Sequence, residues 1–131
     1  MTYADFVKAA IEQNNRNQFA KYDGSLDIVP DEIKGFYRDF NPVDVEVDDD
    51  GVGVSFWSAK GLPQLQKEYG YLDAQFVFAT CNSDPIFFHD GRIYTCAHGV
   101  NEPEWEELAS GFEAYLEFLS QHVDGATSHF N

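Results

Sequence analysis

The sequence predicts a single α+β domain in which helices pack on one mostly antiparallel sheet. Three observations carry that expectation. Apolar residues recur at helical spacing near the start and again from Phe112. Between those regions the period drops to two, beginning after Asn41-Pro42. Asp50-Gly51 and His89-Asp90-Gly91 then punctuate the extended runs as hairpin turns do. Helices placed before and after a block of strands give α+β order rather than alternating βαβ units.

In the opening segment Tyr3, Phe6, Val7 and Ala10 share one helical face, with Thr2 placed to cap it. The pattern fades at Asn14-Asn15-Arg16-Asn17, whose short polar side chains compete with the helical backbone. A second helix opens with Pro30, followed by Asp31 and Glu32 at the positive end of its dipole. Its stripe is Ile33, Phe36, Tyr37 and Phe40, and Asn41-Pro42 ends it. Val43, Val45 and Val47 alternate with Asp44, Glu46 and Asp48, and Val52, Val54 and Phe56 continue the alternation beyond Asp50-Gly51. One face of this hairpin is expected to be buried and the other acidic and wet. Leu62, Leu65 and Tyr69 predict a short helix with Pro63 in its first turn and Gly70 closing it. The apolar run Phe76–Ala79 reads as a central strand, and 85–88 and 92–97 as two more. Ser110-Gly111-Phe112-Glu113 fits a capping box at the head of a last helix, whose buried stripe is Phe112, Tyr115, Leu116 and Leu119. The core is expected over about residues 2–121, with a frayed tail over 122–131.

A chain of 131 residues suits one domain. Its 44% hydrophobic and 16% aromatic content supplies a real core, which separates it from charged disordered chains. The formal net charge of −15 repels phosphate backbones and anionic lipid, so nucleic acid and membranes are not expected partners. A basic protein surface would be attracted instead. Two cysteines are too few for a secreted disulfide framework, no basic leader with an apolar run is visible, and no stretch has the length of a membrane span. The expectation is a cytoplasmic protein with reduced thiols.

Candidate chemistry is sparse. Cys81, His89, Cys96 and His98 are the soft ligands, but structural zinc shows two close ligand pairs and only Cys96 with His98 is close. Cys96, His98 and Asp84 could be drawn as nucleophile, base and orienter, although neighbours on a strand face rarely form a cleft. Asp48-Asp49-Asp50-Gly51 lacks the further oxygens and distal glutamate of a calcium loop. No metal, cofactor or catalytic residue is therefore assigned. Two acidic surfaces remain as candidate protein contacts. The first is the hairpin carrying Asp44, Glu46, Asp48, Asp49 and Asp50. The second is Trp105 among Glu102, Glu104, Glu106 and Glu107, an aromatic among acids of the kind found at interfaces.

Taken together, Val29-Pro30-Asp31-Glu32-Ile33-Lys34-Gly35-Phe36-Tyr37, the stretch 78–88 containing Asp84, Pro85, Ile86 and Phe87, and the segment 108–116 containing Ser110 and Phe112 resemble the SMI1/KNR4 (SUKH) superfamily. The resemblance runs in order from about Leu26 to Leu119. It departs at the loop before Asp84, where the family usually has glycine and this chain has Asn82-Ser83. It implies an α+β fold with a six-stranded or similar sheet and no catalytic residues. It also implies the role of an immunity protein that binds and neutralises a polymorphic toxin of nuclease or deaminase type. A basic toxin would suit the charge. The alternative is a regulatory scaffold in a signalling or stress pathway with a host-protein partner.

Overall fold

The period changes in the sequence mark real element boundaries. The structure, a computed structural model, describes residues 3–70 and 75–129, with side chains described as far as Gln121. Four helices and seven strands follow in the order α1 (Tyr3–Gln13), β1 (Gln18–Ala20), α2 (Asp31–Phe40), β2 (Asn41–Asp49), β3 (Val52–Phe56), α3 (Leu62–Glu68), β4 (Phe76–Cys81), β5 (Asp84–His89), β6 (Arg92–Thr95), β7 (Glu106–Ala109) and α4 (Phe112–His129). A single 3-10 turn, Ala59–Gly61, leads into α3. Every strand pairs antiparallel with its chain neighbours, giving the spatial order β1-β2-β3-β4-β5-β6-β7. The α+β expectation, helices on an antiparallel sheet, holds, and β1 and β7 add strands that the sequence pattern does not announce. Thr2, expected to cap α1, lies outside the described residues. So do the side chains of the tail expected to fray, whose backbone belongs to α4 as far as His129.

Three two-residue turns set the strand registers. Asp50 and Gly51 stand at φ 55° and 89°, and Asp90 and Gly91 at 49° and 82°. Both pairs have the positive φ that matches a primed turn to the right-handed twist of its strands. The third turn, Asn82-Ser83 between β4 and β5, reaches 51° and 70° without a glycine. The register Val45↔Phe56, Val47↔Val54 and Asp49↔Val52 follows from the first turn.

The core lies between the sheet and the helices. Phe6, Phe36, Tyr37, Phe78, Tyr115, Leu116 and Leu119 are each nearly or fully excluded from solvent. Phe112 meets Phe36 of α2 edge-on at 5.3 Å and Phe78 of β4 at 5.2 Å, while Phe6 of α1 tilts against Phe56 of β3 at 5.4 Å. Edge-to-face pairs of this kind contribute about 0.5–1.5 kcal/mol beyond burial. The Tyr37 hydroxyl is buried with its ring and donates to the Trp57 carbonyl at 3.0 Å.

Side-chain amides finish the sheet where strands run out. Strand β1 is too short to cover β2, and β2 beyond Asp44 is paired instead by α1 and the loop after it. The buried Asn17 accepts the Glu46 N–H at 2.9 Å and donates to the Glu46 carbonyl at 3.0 Å and to the Ala10 carbonyl at 2.9 Å. Gln13 accepts the Asp48 N–H at 2.7 Å and donates to its carbonyl. Gln66 of α3 does the same for Val77 of β4, accepting at 2.8 Å and donating at 2.7 Å. An amide side chain holds an N–H donor beside a C=O acceptor, so it can stand in for a strand residue, and its second N–H is free to bond elsewhere.

Three expectations need correction. Val43, expected on the buried face, is 51% exposed, because the register shift between Gln18↔Asp44 and Phe19↔Pro42 leaves it without a partner in β1 and out of phase with Val45 and Val47. The strand expected over 92–97 stops at Thr95, leaving Cys96 and His98 in the following loop. Ser110 does not open α4: the first helical hydrogen bond runs from the Tyr115 N–H to the Gly111 carbonyl, which puts the helix start one residue later than the capping-box spacing requires.

Asn17→Ala leaves the Glu46 N–H and carbonyl without their side-chain partner, while the Ala10 carbonyl keeps the Asn14 N–H, and is expected to destabilise the domain by about 2 kcal/mol, read as a lowered urea midpoint with unchanged slope. Ser83→Gly relieves a left-handed residue that costs more than the added chain entropy. It is expected to raise stability by about 0.5–1 kcal/mol, and a lower melting temperature would contradict that reading.

Candidate functional site

The open side of the sheet is read from alternation. Phe88 of β5 lies beside Tyr3 and Phe112, on the helix side, so its neighbours Phe87 and His89 point the other way. Phe87 pairs across strands with Tyr94 and with Val77, and the two rings stack at 5.9 Å. Trp105 closes over this group. Its ring meets Phe87 at 5.0 Å and His89 at 5.2 Å, both edge-on, and Tyr94 at 5.4 Å. The indole thus has a fixed seat and is still 41% exposed.

Glu102, Glu104, Glu106 and Glu107 flank it in the chain, all exposed, with Glu106 and Glu107 on opposite faces of β7. Glu102 is held at φ 50° in the loop before β7. Glu107 pairs with Arg92 at 3.0 Å, an exposed ion pair worth little to stability but enough to hold both side chains on the Trp105 side. A seated aromatic in an acidic segment has the layout of an interface anchor with a charged rim.

The hairpin candidate is less uniform than its sequence. Asp44, Glu46 and Asp48 do point outward and are exposed, and Asp50 sits in the turn. Asp48 is already engaged, since its carboxylate accepts the Gly51 N–H at 3.2 Å and its backbone is held by Gln13. Asp49 belongs to the other face. It follows Val45 and Val47 in phase, is only partly exposed, and its charge raises the pKa of Tyr115 and Cys81, in each case behind the larger effect of burial. The five residues are therefore not one acidic face, because a strand sends neighbours to opposite sides.

Asp84 opens β5 and reaches forward across the chain. Its carboxylate oxygen accepts the His98 backbone N–H at 2.9 Å and lies 2.7 Å from His98 Nδ1. Burial tends to raise this carboxyl, but the bonds from His98 outweigh it and hold the group below the usual carboxylate range. The aspartate thus ties the β6–β7 loop to the β4–β5 hairpin, the architectural task its place before Pro85 suggests. No thiolate accompanies the pair. Burial pushes both Cys81 and Cys96 up, and Asp84 adds to the effect on each, so the thiols stay protonated near neutral pH. Among the described residues no three His, Cys, Asp or Glu side chains gather where they could hold a metal ion. No described helix is long and apolar enough to cross a membrane.

The remaining signature positions are structural in their placement: Pro30 precedes α2, Phe36 and Tyr37 fill its buried side, Pro85, Ile86 and Phe87 are buried in β5, and Phe112 leads α4. Sequence reasoning missed Asn17, Gln13 and Gln66 as ladder partners, and nothing in their local context signals the role. It also missed β7, whose residues Glu106-Glu107-Leu108-Ala109 read as readily as helix. No protein-family model matches the chain, and neither a curated protein nor a solved structure matches it.

A group whose folded pKa is depressed contributes stability above its unfolded pKa and loses it as pH falls through the folded value. Stability is therefore expected to decline below about pH 4, and part of that decline should be missing in Asp84→Asn. Urea midpoints measured across the acid range check this, and an identical acid limb in both proteins would assign the decline to other carboxylates.

Proposed function

We propose that this protein is a non-enzymatic binding module that neutralises a basic partner protein, an immunity-type inhibitor of a toxin of nuclease or deaminase class. The observation that carries the reading is Trp105, seated on Phe87, His89 and Tyr94, half-open to solvent in a segment that also carries Glu102, Glu104, Glu106 and Glu107. Aromatic anchors of this sort dominate binding energy when a partner covers them. The net charge of −15 supports the same reading, because it draws a basic surface in from beyond contact distance. The sequence resemblance to the SMI1/KNR4 superfamily supports the inhibitory role. Protonated thiols beside Asp84 and His98 favour binding over thiol chemistry.

Two kinds of contact divide the work. Trp105 governs how long the complex lasts, and the outward acids of the hairpin, Asp44, Glu46 and Asp50, govern how fast it forms.

The test is to sequence the neighbouring genes for a basic toxin domain and to measure its binding kinetics with this protein. Trp105→Ala is expected to weaken the complex by about 30-fold or more, mainly through faster dissociation. Neutralising Asp44, Glu46 and Asp50 to the amides should slow association and flatten its dependence on salt, with dissociation little changed. A Trp105→Ala protein that dissociates at the wild-type rate removes this face from the interface. A neighbouring gene that encodes no toxin removes the inhibitory role.

A further inference from the structure

We propose that the outer edge of β7, Glu106–Ala109, is a strand-addition site that takes an extended, basic segment of the partner protein. This rests on the binding reading above and supplies its backbone chemistry. Strand β7 ends the sheet, paired on one side with β6. A terminal strand presents alternate N–H and C=O groups that either water or another strand must satisfy. The chain closes such positions elsewhere with side chains, Asn17 and Gln13 on β2 and Gln66 on β4. Among the described residues no side chain covers strand β7 in this way. Among the described residues, the backbone hydrogen bonds of 106–109 come from β6 alone.

Charge decides the occupant. A second copy pairing edge to edge would crowd Glu106 and Glu107 of both strands into one short ladder, with a net charge of −15 on each molecule, and like charges close across strands are destabilising. A segment that alternates cationic and apolar residues meets neither problem. Glu106 and Glu107 project to opposite faces of the sheet, so a cation on either face of the added strand finds a carboxylate. On the face of Glu107, Trp105 and Tyr94 offer ring surface to an apolar or cationic side chain. In such strand addition, backbone pairing supplies affinity and the alternate side chains supply selectivity. The shortness of β7 limits the added strand to a few residues, which also guards the edge against open-ended stacking.

The experiment uses the intact protein and two labelled octapeptides of equal charge, one repeating Lys-Val four times and one with proline in place of alternate valines. Fluorescence anisotropy at about 20 and about 150 mM salt measures binding, and hydrogen exchange reads the amides. The Lys-Val peptide is expected to bind at low salt, to slow exchange at 106–109 by about tenfold or more, and to leave the β2–β3 hairpin unchanged. The proline peptide should bind about tenfold more weakly, because it cannot complete the ladder. Glu106→Lys should lower affinity for the Lys-Val peptide and raise it for a Glu-Val counterpart. Equal affinity for the two basic peptides overturns the proposal, as do absence of binding at low salt and protection at the hairpin instead of β7. Protection of 106–109 that grows with protein concentration alone also overturns it, in favour of a second copy. If the toxin domain binds through Trp105 while these amides exchange at their free rate, the edge pairing fails and the binding module stands. If no basic protein binds, both fail.

Discussion

The contact of Phe112 with Phe36 and Phe78 fixes more of this fold than any other. It joins the last helix to the second and seats the last helix on the central strand, through edge-on rings 5.2–5.3 Å from Phe112. Because Phe112 is the first residue of α4, its position also determines where the chain must leave the sheet. Strand β7 ends three residues earlier, so the path of Trp105 and its glutamates across the open face follows from a contact made on the opposite side. Removing that ring would loosen the core and, through the same few residues, the candidate binding surface.

The second organising device is the use of amides as strand substitutes. Asn17 and Gln13 attach the end of α1 and the loop after it to the outer half of β2, and Gln66 ties α3 to β4 where β3 has ended. Buried backbone groups must be paired, and a glutamine or asparagine does so without a further strand. These bonds hold the helices at the rim of the sheet while the aromatic cluster holds them over its centre. The acidic hairpin therefore projects from a braced strand, and its outward carboxylates are displayed rather than left to wander.

Acidic residues outnumber basic ones by 23 to 8, so the charge is in large excess. Ion pairs among the described residues include Lys34 with Asp31, Arg92 with Glu107 and His98 with Asp84. Against 23 acidic residues these leave a strong outward field. The field extends roughly 8 Å at physiological salt, far enough to bias an encounter and too short to choose a docking pose. Pose is the province of shaped features, here the seated indole and the open strand edge beside it.

Local signals were legible because they are written by near neighbours. The Ile33-Phe36-Tyr37 stripe, the alternation from Val45 to Phe56, both Asp-Gly turns and the buried face of α4 each rest on spacing within a few residues. What distant residues decide was not legible. Strands β1 and β7 carry little pattern of their own and exist because β2 and β6 offer them a ladder. Val43 turned outward through a register shift set by β1, and Asp49 turned inward because phase along the strand, not charge, determines side. Asp84 found its partner in His98, fourteen residues on, once β5 and β6 had paired. By itself the sequence determined the fold class, the turns and the acidic character. Which aromatics gather under Trp105, which carboxylates face outward and which edge stays open were decided by tertiary structure, because each depends on strand pairing between segments that carry no local record of one another.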